Sequence, residues 1–113
     1  MKDTYRYGLK AELKALLFLL GKGYFPIARR YKTPVGEIDL ICRRGSSVIF
    51  VECKARRTLD EALEALRPQQ IARIRQAATY FLAAKPSYNS MTLRFDLLAV
   101  ARCGSIRHLD NVF

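Results

Sequence analysis

The chain has 113 residues, half of them hydrophobic, and carries 20 lysines and arginines against 10 aspartates and glutamates, a net charge of +10. This length suits one core, so we predict a single domain over residues 1–113. The longest apolar run, residues 15–20, is far shorter than the roughly 20 residues that span a bilayer. The N-terminus also has no apolar signal segment. We therefore expect a cytoplasmic protein that does not insert into membranes.

The positive charge is concentrated in the first half of the chain. Residues 1–57 hold 13 basic and 5 acidic residues, whereas residues 58–113 hold 7 and 5. A strongly basic surface indicates a polyanionic partner such as nucleic acid, although a merely solvated basic face is the alternative. The candidate phosphate contacts are Arg29, Arg30, Lys32, Arg56 and Arg57.

The three cysteines, Cys42, Cys53 and Cys103, form no C-x-x-C pair. An odd number of cysteines in a small chain argues against a disulfide framework. We predict three buried thiols in a reducing compartment.

A first helix is predicted from a cap at Asp3 or Thr4 to about Leu20. Glu12 lies beside its apolar stripe, where it is either a solvated or lysine-paired side chain or a third carboxylate that leans toward the strands described next. A strand over residues 25–31 follows. The stripe consists of Leu9, Leu13, Leu16, Leu17 and Leu20.

A β-hairpin follows, in which Gly45 and Ser46 form a two-residue type II′ turn between apolar runs. Residues whose numbers sum to 91 then face each other, so Asp39 lies opposite Glu52. Like charges in that arrangement destabilise a sheet, which suggests that a divalent metal ion is bound between them. Alternatively, Glu37 and Lys54 form an ordinary ion pair and Asp39 is only solvated.

The two faces of this hairpin differ in character. One face is wholly apolar and must pack on helices, whereas the other changes from apolar to charged away from the turn. The apolar face carries Ile38, Leu40, Cys42, Ile49, Val51 and Cys53, and the mixed face carries Glu37, Asp39, Ile41, Phe50, Glu52 and Lys54.

Carboxylate oxygens are hard ligands that suit Mg²⁺ or Mn²⁺. The predicted ligands are the carboxylates of Asp39 and Glu52 and the backbone carbonyl of Cys53. Lys54 lies on the same face as Glu52, where an ammonium group can orient or deprotonate an attacking water, or offset phosphate charge. These groups suit metal-assisted hydrolysis of a phosphodiester.

The second half of the chain predicts two helices and then two strands. Thr58 and Glu61 have the spacing of a capping box, and Pro68 suits the first turn of the second helix. The only histidine, His108, is predicted to be structural. The predicted bounds are 58–66 and 68–84 for the helices, and 91–102 and 106–111 for the strands.

An acidic residue on one strand, Glu-x-Lys on the next and a glutamate on the preceding helix resemble the PD-(D/E)xK nuclease superfamily, which includes restriction enzymes. More closely, the chain is similar to the YraN family of small bacterial proteins. The matching blocks are Gly8 with Ala11-Glu12, Gly36-Glu37-Ile38-Asp39-Leu40-Ile41, Phe50-Val51-Glu52-Cys53-Lys54, Arg73-Ile74 with Ala77-Ala78 and Tyr80-Phe81-Leu82, Arg94-Phe95-Asp96, and His108-Leu109-Asp110-Asn111-Val112-Phe113.

The resemblance implies an α/β fold with an αβββαβ restriction-endonuclease-like core, in which helices flank a mixed central sheet. Its active site would consist of Glu12, Asp39, Glu52 and Lys54. Where this chain has Gln70, the family pattern often has lysine, and resolvase-like relatives place a glutamine near the site. Gln70 is therefore also a catalytic candidate. The resemblance leaves Asp96 with either a catalytic role or that of a buried anchor.

The leading hypothesis is an endonuclease that uses Mg²⁺ or Mn²⁺ to hydrolyse phosphodiester bonds in DNA, including branched or structured DNA. The alternative is a nucleic-acid-binding module of the same fold without turnover. A third, weaker hypothesis is an accessory protein whose basic face is incidental. A homodimer would help to cut two strands, but the sequence does not require one.

Overall fold

One five-stranded mixed sheet with helices on both faces forms the fold. The structure, a computed structural model, describes the backbone of residues 2–112 and the side chains of residues 10–112. The element order confirms the predicted α/β class and the flanked, restriction-endonuclease-like core. The helices are α1 (Lys2–Gly21), α2 (Leu59–Glu64) and α3 (Pro68–Ala84), and the strands are β1 (Phe25–Thr33), β2 (Gly36–Arg44), β3 (Ser47–Arg56), β4 (Thr92–Ala101) and β5 (Ile106–Leu109).

The sheet has the strand order β1-β2-β3-β4-β5. Neighbouring strands are antiparallel except for β3 and β4, which run parallel in unbroken register from Ser47–Thr92 to Arg56–Ala101. A parallel pair needs a crossover connection, and α2 and α3 supply it. The carboxyl ends of β3 and β4 therefore lie at the same end of the sheet.

The β2–β3 hairpin has the predicted register near its turn. Opposed residues sum to 91 from the Arg44–Ser47 pair to the Leu40–Val51 pair. Gly45 adopts a φ of +60° while Ser46 stays at negative φ, which is the signature of a type II′ turn. Glycine is suited to the first turn position because it has no Cβ to clash there.

Two apolar layers cover the sheet, one beneath α1 and one beneath α3. Phe50 anchors the α3 layer, with its ring centroid 5.9 Å from that of Phe81 and 5.1 Å from that of Phe95. The alternation of β3 sends successive side chains into opposite layers. The α1 layer contains Ala15, Leu19, Tyr24, Leu40, Cys42, Ile49, Val51 and Leu98, and the α3 layer contains Ile38, Ile41, Val48, Phe50, Ile74, Ala77, Ala78 and Phe81.

The predicted core stripe of α1 is wrong at Leu13, Leu17 and Leu20, which are exposed, whereas Leu16 packs against the α1 layer. Leu13 and Leu17 are 53% and 58% exposed, while Ala11, Ala15 and Leu19 are buried against the sheet. Alanines at i and i+4 let the helix backbone approach the strands closely, so the small-residue face is buried and the leucine-rich face beside it is not.

No helix in the described part of the chain is long and apolar enough to cross a membrane.

The helix starts agree with the sequence to different degrees. Thr58 caps α2 as predicted, because its hydroxyl accepts a 3.2 Å hydrogen bond from the Glu61 N–H. Pro68 begins α3, also as predicted. Helix α1 begins at Lys2, before the predicted caps, and the side chains of Asp3, Thr4 and Leu9 lie outside the described residues.

The prediction of three buried thiols is wrong for Cys103. Cys42 is buried and Cys53 is partly buried, but Cys103 is exposed in the turn between β4 and β5. Its Sγ lies 3.2 Å from the Ser105 hydroxyl, and this contact lowers the pKa of the thiol. Burial, and secondarily the charge of Asp96, raises the pKa of Cys42 to about 12, so that thiol stays protonated at neutral pH.

Candidate active site

Strand β2 separates from β3 at Asp39. The backbone pairing of the two strands ends at Leu40 and Val51. Continued pairing would have directed the Cys53 N–H toward the carbonyl of Ile38. Instead, that amide donates a 2.9 Å hydrogen bond to the Asp39 carboxylate. The Asp39 side chain thus replaces the missing backbone acceptor and is held in a fixed position between the strands.

The separation also reverses the faces of β2, which the sequence did not predict. Ile38 packs in the α3 layer, whereas Leu40 packs in the α1 layer, although strict alternation would place both on one face. Across from Asp39 on β1 lies Arg30, whose φ of +49° is unusual for a residue other than glycine. Irregular backbone in both strands therefore surrounds Asp39.

Glu52 and Asp39 form a close pair of carboxyl groups. Glu52 is only 8% exposed, and the two side chains are near enough to share a hydrogen bond. Burial first, and then the hydrogen bond and negative charge of Asp39, raise the pKa of Glu52 to about 9, although nearby Lys54 opposes the rise. At neutral pH the Glu52 carboxyl group is therefore protonated.

Lys54 lies on the same side of β3 as Glu52, as predicted. Its ammonium nitrogen is 3.5 Å from the Glu52 carboxylate, and both side chains are largely buried. The alternative, in which Lys54 pairs with Glu37, is wrong, because the Lys54 ammonium contacts the Glu52 carboxyl group and Glu37 is exposed.

Glu12 approaches the acidic pair but is bound to Arg30. The Arg30 guanidinium donates hydrogen bonds of 2.6 and 3.2 Å to one Glu12 oxygen. Burial, followed by the charges of Asp39, Glu52 and Glu12, raises the pKa of the Cys53 thiol well above its ordinary value, so three carboxylates act on that residue. Within residues 10–112, however, no three histidine, cysteine or acidic side chains are close enough together to hold one metal ion.

A cleft of about 190 Å³ opens beside Glu52, between the start of β2 and α3. Gln70 is one of its lining residues, so the structure brings this catalytic candidate to the same cleft as Glu52. The Gln70 carbonyl oxygen accepts a 3.2 Å hydrogen bond from the Arg67 N–H, which leaves the amide NH₂ as a donor. The lining residues are Gly36, Glu37, Glu52, Gln70, Arg73 and Ile74.

The predicted phosphate contacts fall into two groups. Arg29, Lys32 and Arg56 are exposed, so their positions allow contact with a large ligand. Arg30 and Arg57 are also exposed but are bound to carboxylates, Arg30 to Glu12 and Arg57 to Glu61 at 3.0 Å.

The sequence interpretation did not include Arg73 among the phosphate contacts. The sequence pattern that could have identified Arg73 is its spacing of three residues from Gln70, since residues at i and i+3 share a helix face.

Asp96 is fully buried on the side of the sheet that α1 covers. It accepts hydrogen bonds from Arg94 at 2.7 and 3.1 Å, from His108 at 2.8 Å and from the Asn111 N–H at 2.9 Å. Burial alone would raise the pKa of Asp96, but the bonds from His108, Arg94 and Asn111 outweigh it and lower the pKa to about 2. The geometry favours the anchoring role for Asp96 and the structural role for His108.

The strand order, the parallel β3–β4 pair and the flanking helices define a protein with a restriction-endonuclease-like core. Within that class, the chain belongs to the uncharacterised protein family UPF0102, the YraN family, whose family model matches residues 11–100.

Relatives from several bacteria match almost the whole chain. A UPF0102 protein of Methylorubrum extorquens (strain PA1) is 49% identical over 112 residues, which cover 99% of this chain and 88% of the relative. One from Parvibaculum lavamentivorans is 48% identical, with coverages of 97% and 83%, and one from Rhodopseudomonas palustris (strain BisB18) is 45% identical, with coverages of 97% and 82%. These names assign no activity.

Proposed function

We propose that the protein is a metal-dependent endonuclease that hydrolyses phosphodiester bonds in DNA. The observation that carries this proposal is the Asp39–Glu52 pair, two carboxyl groups held together in a largely buried position with Lys54 beside them. A purely structural role would not explain why β2 separates from β3 at Asp39 while it stays paired with β1. The net charge of +10 supports a polyanionic substrate.

The donor chemistry of the pair fits Mg²⁺ or Mn²⁺. Such ions commonly take one or two protein carboxylates, and water and substrate phosphate complete the shell. Asp39 and Glu52 would hold the ion, and the backbone carbonyl of Cys53 is the proposed third protein ligand. When bound, the ion would supply Lewis-acid stabilisation of charge on the phosphate.

The chain's own residues would orient the reactants. The Cys53 N–H fixes Asp39, so that the carboxylate requires little rearrangement on binding. The Lys54 ammonium can orient the attacking water or offset the charge that develops on the phosphate. Hydrolysis then adds water across one P–O bond. Gln70 and Glu12 lie at the margins of the site, where Gln70 can donate a hydrogen bond and Glu12 is held by Arg30.

Cleavage assays test this proposal directly. Purified protein is incubated with Mg²⁺ or Mn²⁺ and linear, branched or single-stranded DNA, beside the Asp39→Ala/Glu52→Ala variant. We expect the wild type to cleave at least one substrate and the variant to lose about 100-fold or more of the rate, since metal and water positioning are removed together. Equal cleavage by the two proteins, or no cleavage by either, would contradict it.

A second candidate function is nucleic-acid binding without turnover. The observation that favours it is the absence, in the described residues, of a cluster of three potential side-chain ligands, since Glu12 is paired with Arg30. In that case DNA affinity falls steeply with salt and is unchanged or improved by neutralising the acidic pair. A calorimetric Mn²⁺ titration of wild type and Glu52→Ala separates the two functions, because only the nuclease requires a difference.

A further inference from the structure

Arg73 lies at the wall of the cleft that contains Glu52. Gly36 contacts the helix at this residue, since a Cβ added to Gly36 would lie 3.0 Å from the Arg73 carbonyl oxygen and 3.1 Å from the Arg73 Cβ. Real side chains rarely approach so closely, and glycine is the residue that permits it. Close backbone packing of α3 on β2 therefore sets the position of Arg73 relative to the acidic strands.

The charge of Arg73 is not neutralised within the described structure. Several arginines elsewhere in the chain have partners: Arg94 binds Asp96, Arg57 binds Glu61, and Arg75 lies over the Phe95 ring at 5.1 Å. Among residues 10–112, the Arg73 side chain has no hydrogen bond, ion pair or aromatic contact, although the Arg73 backbone lies within α3. It shares a cleft with two acidic side chains, yet neither of them is within ion-pair distance.

We propose that Arg73 and Gln70 form a phosphate-binding site that holds a phosphodiester group of nucleic acid beside the Asp39–Glu52 pair. A guanidinium presents several N–H donors in a planar fork that matches two phosphate oxygens. The Gln70 NH₂ group, one helical turn earlier, adds a neutral donor on the same helix face. This site deepens the proposed nuclease function and rests on it for its biological role.

The site also resolves an electrostatic difficulty. An acidic pair does not attract a phosphate, and the Lys54 ammonium is directed to the Glu52 carboxyl group, 3.5 Å away. The four arginines and one lysine predicted from the sequence as phosphate contacts are exposed and can attract DNA to the surface, but they are not part of the cleft lining. Arg73 is the basic residue of that lining, so it can hold a phosphate group within reach of the carboxylates.

Equilibrium binding of a short fluorescent DNA duplex in EDTA tests the site without turnover. The proteins are wild type, Arg73→Ala and the matched control Arg107→Ala, which removes the same charge from the exposed surface of β5. We expect Arg73→Ala to weaken binding about tenfold and to reduce the slope of log affinity against log salt by about 0.9, the value for one lost phosphate contact. Arg107→Ala should match the wild type.

Two further variants separate binding from folding. Gln70→Glu keeps the oxygen that accepts the Arg67 N–H but replaces the donor with a negative charge, and it should weaken DNA binding. If Arg73→Ala unfolds, Arg73→Gln keeps most of the side-chain length and tests the same charge. Mn²⁺ affinity, measured by calorimetry, should be unchanged in Arg73→Ala, since Arg73 is not one of the proposed metal ligands.

The outcomes distinguish this site from the nuclease proposal. Wild-type affinity and salt slope in both Arg73→Ala and Gln70→Glu would overturn the phosphate site, as would a wild type that does not bind DNA. If the wild type binds DNA but cleaves nothing with either metal ion, the nuclease proposal fails, and a reduced slope in Arg73→Ala still supports the phosphate site.

Discussion

Replacing Glu52 with glutamine should stabilise the protein in the absence of metal, although it removes a proposed ligand. In the unfolded chain this glutamate ionises near its ordinary pKa of 4.5, whereas in the fold its burial beside Asp39 raises the pKa to about 9. Between these values the folded state holds one more proton than the unfolded state. The stability of the wild type must therefore fall as pH rises through that range.

The magnitude follows from the width of the interval. Each pH unit costs about 1.4 kcal/mol, and pH 7 is about 2.5 units above 4.5, so ionisation of the unfolded chain costs up to about 3 kcal/mol of unfolding free energy. Glutamine does not titrate and can donate its amide hydrogen bond to Asp39. Glu52→Gln should thus match the wild type near pH 4.5 and exceed its stability by up to about 3 kcal/mol at pH 7.

Denaturant unfolding in EDTA at pH 5, 6, 7 and 8 measures this difference. Glu64→Gln is the control, since Glu64 is an exposed glutamate at the end of α2. Its stability should follow the wild type at every pH. If the curves of Glu52→Gln and wild type run parallel from pH 5 to pH 8, then Glu52 is ionised in the fold and the reasoning is wrong.

Three further substitutions test the packing around the site. Asp96→Asn should lower the unfolding free energy by about 3–5 kcal/mol at pH 7, because it leaves the largely buried Arg94 guanidinium without its anion. The loss should shrink as the pH falls from about 4 toward 2, and an equal loss at pH 2 and pH 7 would contradict this. Gly36→Ala should lower the unfolding free energy by about 1–3 kcal/mol and weaken DNA binding, because it displaces Arg73. Gly21→Ala should have neither effect, since Gly21 has open space around it, and equal thermal stability of the two variants would exclude the close contact. Thr58→Ala should cost about 1 kcal/mol in denaturant unfolding, and no loss would show that its cap is replaced by water.

The sequence predicted those parts of the fold that depend on local chemistry. The Gly45-Ser46 turn sets the register of β2 and β3, and Thr58 and Pro68 mark the starts of two helices. Each feature is determined by a few neighbouring residues, since turn type and helix capping depend on backbone groups within one turn of the chain. The local sequence therefore determines these features.

The errors concern features that depend on distant partners. Helical periodicity identified an apolar face on α1 but did not show that the alanine face beside it would be buried, because that choice depends on how closely the sheet approaches. The face reversal at Asp39 occurs where β2 separates from β3, next to the irregular backbone of Arg30 on β1. A two-residue period in one strand carries no information about where its neighbour separates from it.

The sequence predicted that the residues at the centre of the candidate site lie together, but it identified only some of the residues around them. The structure brings Asp39, Glu52 and Lys54 together, and these lie on one hairpin of fixed register. Gln70 and Arg73 reach the cleft through the packing of α3 on Gly36, which joins residues more than 30 positions apart along the chain. Such a contact follows from the complete fold and not from the spacing of either segment.

The irregular backbone of β1 also bears on how these molecules behave at high concentration. As an outer strand of the sheet, β1 has backbone groups that a second chain could pair with, which is a route to aggregation. Pro26 lacks an N–H, the register shifts between Pro26 and Ala28, and Arg30 turns the backbone to positive φ. These interruptions leave no long, regular edge for another strand to join. The distortion that accompanies the acidic pair thereby also protects the chain against edge-to-edge association.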